Sequence, residues 1–286
     1  MRIDERLATG QPTCSFEFFP PKTPEGAEKL LTVHQQLSAL NPQYFSVTYG
    51  AGGSTRERTL STVFDLHAIG PAPIAPHLSC IGDAKAALAD LLDGYKAKGI
   101  NRLVALRGDL PSGQMTLGEL PYARDLVAFV REHSGDHFHI EVAAYPEMHP
   151  QADSYEADLR NFIAKVQAGA NSAITQFFFN ADAYWHFMDR LARAGVNIPV
   201  IPGIMPITNA SNLIRFSDSC GADIPRWLRK QLLAYGDDSA SIKALGETVV
   251  ARLIEELIQG GAPAFHFYTM NQTEATTRLV KLTGLA

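Results

Sequence analysis

Short apolar runs recur along the chain with helix-like segments between them, and this alternation constrains the fold more than any other feature. Eight runs predict β-strands, at Thr13–Phe19, Tyr44–Tyr49, Ile74–Cys80, Arg102–Arg107, His139–Tyr145, Ala173–Phe179, Pro199–Met205 and Ala264–Met270. Apolar character along a whole run is typical of parallel strands that are buried on both faces. Helices are predicted between them, at Pro24–Leu40, Asp83–Lys98, Ser154–Ala168 and Asp182–Ala194, with a long helical stretch from Asn209 to Gly260 before the last strand.

About eight β-then-α units in a chain of 286 residues predict a single-domain (β/α)8 TIM barrel. We assign residues 13–286 to the barrel and expect residues 1–12 to form a flexible N-terminal arm. A doubly wound open sheet is the alternative, but its first turn would carry a G-x-G-x-x-G fingerprint that this chain lacks. The barrel prediction also locates the active site, which in such folds lies at the carboxyl ends of the strands.

Composition excludes several classes of protein. A net charge of −5 and a pI near 6.0 argue against a surface that binds nucleic acid. No apolar run is long enough to span a bilayer, and the N-terminus has no signal-peptide core. The three cysteines are spaced for neither a zinc site nor a disulfide framework. We therefore expect a cytoplasmic protein with no metal and with neither nucleic acid nor membrane as a partner.

Glu17 is a carboxylate inside the first predicted strand, which Pro20 and Pro21 bring to an end. Because burial of an ionised carboxylate is costly, such a residue is normally paired, protonated or functional. Burial favours the neutral form, which makes a carboxyl group usable as a general acid near neutral pH. Two interpretations stay open at this point: a general acid, or a strand residue whose carboxylate simply reaches solvent.

Other strand ends are also polar. The set consists of Glu17, Thr48, His77, Arg107-Gly108-Asp109, Tyr145-Pro146-Glu147, Gln176 and Tyr268. A barrel would gather these residues around one mouth, and that convergence is stronger evidence than any single member. Taken alone, Asp109 could be a helix N-cap or the ion-pair partner of Arg107, and Gln176 could be a capped core amide.

The glycine-rich segment Tyr49–Thr55 resembles a loop that cradles phosphate, although it is neither a Walker A nor a Rossmann motif. The plainer interpretation is a βα loop that ends in a capping box of Ser54 and Glu57. Its exposed amides could still line an anionic cofactor.

Seven motifs in sequence order resemble those of the methylenetetrahydrofolate reductase family. They are Ser15-Phe16-Glu17-Phe18-Phe19-Pro20-Pro21, Ser46-Val47-Thr48-Tyr49-Gly50-Ala51, Ala75-Pro76-His77-Leu78-Ser79-Cys80, Ala105-Leu106-Arg107-Gly108-Asp109, Ala143-Ala144-Tyr145-Pro146-Glu147, Ile174-Thr175-Gln176-Phe177-Phe178-Phe179 and Pro202-Gly203-Ile204-Met205-Pro206. The resemblance is to the bacterial type, consisting of the catalytic barrel alone. It implies non-covalent FAD at the barrel mouth, with NADH or NADPH as co-substrate in a ping-pong cycle. The implied reaction reduces 5,10-methylenetetrahydrofolate to 5-methyltetrahydrofolate for methionine synthesis, and a homo-oligomer is a possible assembly.

The resemblance also implies roles for individual residues. Glu17 would be the general acid that assists opening of the five-membered folate ring, since the departing N10 amine is a poor leaving group until it is protonated. Asp109 would act beside the pterin and the flavin. The residues implied in folate binding are Glu17, Asp109, Gln176, Tyr268 and Gln272. Those implied in FAD binding are Thr48, His77, Arg107, Gly108, Asp109, Tyr145, His149, Asp158, Asn161 and Lys165.

The chain departs from the family pattern at two positions, where Ala210 replaces a Phe that stacks on substrate and Gln272 replaces an Arg that contacts folate. Each change is expected to weaken binding by about 1 kcal/mol or more. Two other functions stay open. One is a flavin-free lyase or transferase that uses Glu17 and Asp109 for acid–base chemistry. The other is a folate- or flavin-binding protein without turnover.

Overall fold

The computed structural model describes residues 12–49, 53–109 and 118–285. Nine parallel β-segments form a nearly closed barrel with helices between them, which confirms the predicted single-domain (β/α)8 barrel. The segments are β1 (Thr13–Phe18), β2 (Phe45–Val47), β3 (Ile74–Ser79), β4 (Arg102–Leu106), β5 (His139–Ala144), β6 (Ser172–Thr175), β7 (Val200–Ile201), β8 (Gly203–Ile204) and β9 (Ala264–Tyr268).

The predicted seventh strand closes the barrel as two short segments, β7 and β8, separated by Pro202. Ile201 of β7 registers with Ile174 of β6, whereas Gly203 of β8 registers with His266 of β9. Pro202 has no N–H to donate, so it interrupts the ladder at this point, while its carbonyl still accepts from the His266 amide at 2.9 Å. One stretch of chain thereby pairs with a neighbour on each side.

Ten helices lie within the described residues. They are α1 (Pro24–Ser38), α2 (Gly53–Ile69), α3 (Lys85–Ala97), α4 (Ala123–Ser134), α5 (Tyr155–Gln167), α6 (Ala181–Arg193), α7 (Ala210–Cys220), α8 (Arg226–Ala234), α9 (Ser239–Gln259) and α10 (Glu274–Leu282). The long helical stretch predicted before the last strand is therefore three helices. Gly221, with φ of +75°, ends the first of them, and Pro225 precedes the second.

Several predicted boundaries were wrong by one to four residues. Most strands end one or two residues earlier than predicted, and residues 176–179 follow β6 instead of belonging to it. The predicted N-terminal arm, except for its last residue, lies outside the described residues, as do residues 50–52 of the glycine-rich loop and the side chain of Ser54.

Among the helices that are described, none combines the length and the apolar character that crossing a membrane requires.

The two faces of strand β1 differ in polarity. Alternate residues of a strand face opposite ways, so Ser15 and Glu17 of β1 share one face while Phe16 and Phe18 share the other. Phe16 packs against aromatic rings of both neighbouring strands, with centroids 5.8 Å and 5.9 Å away. The face that carries Ser15 and Glu17 instead meets His266 of β9. The barrel thus holds ionisable groups inside the ring of strands.

Candidate active site

Glu17 lies near the carboxyl end of β1, in register with Ser46 of β2 and Tyr268 of β9. Its side chain is 19% exposed, and its Oε2 lies 3.4 Å from His77 Nε2 and 3.8 Å from His266 Nε2. Burial lowers the pKa of His77, and the charge of Glu17 acts in the opposite direction. The carboxyl group is therefore accessible at one side and faces two imidazoles at the other.

Above Glu17 is an open cavity of about 1130 Å³. Thr48, His77, Tyr145, Gln176 and Tyr268 line it together with Glu17, so the barrel brings these predicted site residues to one mouth. The Tyr268 hydroxyl donates to the Thr175 carbonyl at 2.6 Å, which holds the ring against the wall. The Gln176 Oε1 accepts from the Phe177 amide at 3.0 Å, and the Gln176 NH₂ group can therefore donate hydrogen bonds to a ligand.

A second open cavity, of about 1440 Å³, adjoins the first. The two cavities share Leu106, Ala143 and Tyr145 as lining residues and therefore form one elongated cleft. The second cavity collects the other predicted cofactor residues: Arg107, Gly108, Asp109, His149, Asp158, Asn161 and Lys165. The cleft thus offers two connected spaces, one beside Glu17 and one beside Arg107 and Lys165.

The second cavity is lined by three cationic side chains, Arg107, Arg124 and Lys165, and by two carboxylates, Asp109 and Asp158. Arg107 donates to the Gln151 side chain at 2.7 Å, and Lys165 donates to the Ala143 carbonyl at 2.5 Å. Burial lowers the pKa of Lys165 to about 8, and Asp158 is the carboxylate that opposes this shift. Asp158 is itself engaged by the His149 amide at 2.9 Å. An anionic ligand at this place would gain two cations, which favours phosphate groups.

Gly108 lines the second cavity in a backbone conformation that favours glycine. Its φ is +84°, and a Cβ at this position would lie 2.0 Å from Ser79 Oγ. Any side chain here would both strain the backbone and displace Ser79. Ser79 is held in place because its hydroxyl donates to the Arg107 carbonyl at 2.8 Å.

Gln272 lines neither of these two cavities. This exposed residue lines a separate cleft between α9 and α10, together with residues such as Lys243, Glu247 and Arg278. Ala210 is the first residue of α7 and is 7% exposed, so it offers no side chain to the mouth of the barrel. The roles predicted for the site residues, including Gln272, stay predictions.

Glu147 connects the loop after β5 to the segment after α7. Its Oε2 accepts from the Asp223 amide at 2.8 Å, and burial raises the pKa of Glu147 to about 7. Phe216, Ser219 and Cys220 of α7 line the central cavity. Glu147 therefore anchors the element that forms one wall of the site.

Sequence reasoning missed two ionisable residues of the barrel interior. His266 and Glu141 are both fully buried. Each is a polar residue inside a strand that is otherwise mostly apolar, which is the signal that singled out Glu17. The same criterion, a polar residue inside an apolar strand, would have identified His266 and Glu141 as well. The described residues contain no group of three or more His, Cys, Asp and Glu side chains that could hold a metal ion.

A (β/α)8 barrel whose mouth carries an acidic side chain and a cleft lined by the strand ends has the architecture of a barrel enzyme, since active sites in this fold lie at that end. A family model described as methylenetetrahydrofolate reductase matches residues 2–284. The 5,10-methylenetetrahydrofolate reductase of Escherichia coli is 41% identical over 276 residues, covering 96% of this chain and 92% of that protein. Methylenetetrahydrofolate reductase (NADH) 1 of Arabidopsis thaliana is 34% identical over 99% of this chain and 50% of its own length. The chain therefore belongs to the methylenetetrahydrofolate reductase family, which supports reductase activity on a folate substrate.

Solved structures with lower identity support the fold alone. A Clostridium thermocellum protein that binds two copies of 5-methyl-5,6,7,8-tetrahydrofolic acid superimposes with a TM-score of 0.67 at 15% identity, covering 99% of this chain and 98% of that one. Dihydropteroate synthase from Xanthomonas albilineans superimposes with a TM-score of 0.54 at 14% identity, covering 100% of this chain and 94% of that one.

Proposed function

We propose that the protein reduces 5,10-methylenetetrahydrofolate to 5-methyltetrahydrofolate with NADH or NADPH, using non-covalently bound FAD, and so supplies methyl groups for methionine synthesis. The observation that carries the proposal is the continuous cleft. Glu17 lies at its central end, and Arg107 and Lys165 lie at the other. The cleft thus combines a proton donor for the folate with a cationic region for a dinucleotide.

The residues of the second cavity fit FAD. Arg107 and Lys165 would neutralise the pyrophosphate. Gly108 lines the same cavity, and its lack of a side chain leaves Ser79 undisturbed. Asp158 and Asn161 offer hydrogen-bonding groups for the ribose. Bound there, the flavin supplies hydride transfer from the nicotinamide to the folate. The central cavity would receive the nicotinamide and the folate in turn, as a ping-pong cycle requires.

Glu17 supplies the proton. The folate ring opens when the bond to N10 breaks, and this nitrogen leaves readily only after protonation. Glu17 lines the cavity on one side and faces two imidazoles on the other, so its carboxyl group is available to a substrate bound in the cavity. Gln176 and Tyr268 line the same cavity and would orient the pterin. The exposed Asp109 would contribute a charge beside the flavin.

The substitution Glu17→Gln tests the proposal because it separates the two halves of the cycle. The variant is expected to bind FAD and to oxidise NAD(P)H with menadione as acceptor at the rate of the unchanged protein. Its folate half-reaction, followed in a stopped-flow instrument, is expected to slow by roughly 10²- to 10⁴-fold, the usual contribution of a general acid.

The matched control is Glu247→Gln, since Glu247 forms an ion pair with Arg278 at 2.7 Å in the cleft between α9 and α10. Both halves of the cycle are expected to persist in this control. Normal folate reduction by Glu17→Gln would contradict the proposed general-acid role and leave Glu17 with a structural role only. A purified protein without a yellow flavin band would contradict FAD and favour a flavin-free barrel enzyme. Bound FAD without folate turnover in the unchanged protein would indicate a binding protein.

A further inference from the structure

The turn after β9 holds two consecutive residues in the left-handed backbone region. Met270 and Asn271 both have φ of +53°. The Gln272 amide donates to the Thr269 carbonyl at 3.0 Å and closes the turn around them. Asparagine is common in this region, whereas a long side chain such as that of Met270 rarely adopts it. Backbone strain of this kind persists only where surrounding contacts fix it, and it clusters at functional sites.

The contacts that fix this turn join it to the end of β1. The ladder between β1 and β9 ends at the pair Glu17 and Tyr268. Beyond that pair, the Thr269 hydroxyl donates to the Glu17 carbonyl at 2.6 Å, and the Asn271 amide donates to the Thr269 hydroxyl oxygen at 3.1 Å. Side chains therefore continue the pairing with β1 where the backbone ladder stops.

The carboxamide of Asn271 holds the residue that follows β1. Its Oδ1 accepts from the Phe19 amide at 3.0 Å, and its Nδ2 donates to the Phe19 carbonyl at 2.9 Å. An ionised aspartate of the same size has no donor, so it could make only one of these two bonds. Asn271 thereby occupies both backbone groups of Phe19, as a neighbouring strand would.

The same turn brings Met270 to the active site. Met270 is 37% exposed and lines the central cavity together with Glu17 and Tyr268. It is not among the described residues that line the second cavity. A thioether is flexible and polarisable, and it makes favourable contacts with aromatic rings. A ring system bound in the central cavity would therefore cover a side chain whose backbone is held through Asn271.

We propose that Asn271 is a positioning residue for the central cavity: by holding both backbone groups of Phe19, it fixes the turn that presents Met270 to the bound nicotinamide and folate. Met270 in turn contributes affinity for each of these ligands. Loss of the carboxamide releases the turn from β1 and lets Met270 leave its position. The inference rests on the proposed function, which assigns both ligands to this cavity.

The first test measures the contact without any ligand. Glycine adopts positive φ freely, so Asn271→Gly removes the carboxamide and adds no backbone strain. With ¹⁵N-labelled phenylalanine, we expect NMR to show hydrogen exchange of the Phe19 amide roughly 2- to 10-fold faster in this variant, the effect of one hydrogen bond.

The matched control is Asn41→Gly, because Asn41 is an exposed asparagine after α1 whose φ is also positive, at +50°. This control is expected to keep the exchange rate of the Phe19 amide. Equal exchange rates in Asn271→Gly and in the unchanged protein would overturn the inference. Should Asn271→Gly fail to fold, Asn271→Asp keeps the acceptor for the Phe19 amide and loses only the donor to the Phe19 carbonyl. A smaller rise in KM is then expected in the second test.

The second test asks whether the turn acts on the ligands. A ligand can cover only the exposed part of Met270, so Met270→Ala is expected to raise the KM for NAD(P)H, with menadione as acceptor, by roughly 2- to 5-fold. The KM for folate is expected to rise by a similar factor. Asn271→Gly should raise both constants to a comparable extent, with FAD content and the rate at saturating NAD(P)H unchanged. Asn41→Gly is expected to keep both constants.

A double variant shows whether Asn271 acts through Met270. The Michaelis constants of Met270→Ala combined with Asn271→Gly should equal those of Met270→Ala alone, since the side chain that the turn positions is already absent. Effects that multiply in the double variant would contradict the inference. So would unchanged Michaelis constants in Asn271→Gly, which would leave Asn271 with a role in stability only. Absence of NAD(P)H oxidation or of folate reduction in the unchanged protein would instead contradict the proposed function.

Discussion

Gly203 is the point where the closing strand of the barrel touches the active site, so replacing it with alanine gives a sharp test of the packing. A Cβ on Gly203 would lie 2.1 Å from the Thr175 carbonyl oxygen and 2.7 Å from both Cε2 and the hydroxyl of Tyr268. The carbonyl belongs to the backbone of β6, so relieving this contact requires the backbones at Gly203 and Thr175 to move apart. The Tyr268 ring must move as well, and its hydrogen bond to Thr175 is lost with it.

The magnitude follows from two contributions. Overpacking of a well-packed interior costs about 1–3 kcal/mol, and the lost hydrogen bond costs about 0.5–1.5 kcal/mol. The free energy of unfolding should thus fall by about 2–4 kcal/mol, which lowers the melting temperature by roughly 4–15 °C for a chain of this size. Because Tyr268 lines the central cavity and not the second one, the KM for folate should rise while FAD stays bound.

Calorimetry and steady-state kinetics check both parts, with Gly94→Ala as the matched control. Gly94 lies inside α3, and a Cβ there would meet nothing within 4 Å. This control should keep its kinetics and gain up to about 1 kcal/mol of stability from helix propensity. If Gly203→Ala melts within about 1 °C of the unchanged protein and keeps its KM for folate, the argument from this contact is wrong.

Two further predictions concern buried carboxylates. Burial raises the pKa of Glu147 to about 7, so its neutral form stabilises the fold below its unfolded pKa, and this contribution is lost as pH rises towards 7. Thermal unfolding of Glu147→Gln and of the unchanged protein should therefore diverge between about pH 4.5 and 7, with the unchanged protein losing more stability; parallel curves would contradict this. Arg102→Met should cost about 3–5 kcal/mol of unfolding free energy, because it leaves the fully buried Glu141 without its cation. Denaturant titration measures this, and Arg229→Met, which removes an exposed ion pair, should stay within about 1 kcal/mol of the unchanged protein.

The order of strands and helices was readable from the sequence, but the ends of the strands were not. Phe177, Phe178 and Phe179 are buried and aromatic, so they extend the apolar run of β6, yet the chain leaves the ladder at Thr175. Hydrophobicity reports burial, whereas a strand ends where its neighbour stops offering hydrogen-bond partners. Pro202 splits a run that the sequence predicts as one strand for another reason, since proline has no N–H to donate to the ladder.

The candidate-site residues that lie at the ends of strands could be predicted from the sequence. Thr48, His77 and Gln176 line one cavity with Glu17, because parallel strands in a barrel present their carboxyl ends at one mouth. Gln272 was chosen by resemblance and lies in a different cleft. Its position depends on where the chain turns after β9, which no local pattern specifies.

By itself, the sequence determined the barrel, the end of the barrel that carries the chemistry and the family to which the chain belongs, since periodicity and motifs are local properties. The tertiary structure decided what stands behind Glu17. His266 is 249 positions away along the chain, and it comes within 3.8 Å of Glu17 only through the register of β1 with β9 and the closure of the ring. A carboxyl group in an apolar strand indicates from the sequence that its burial is costly. Its partners, however, are determined by packing between distant strands.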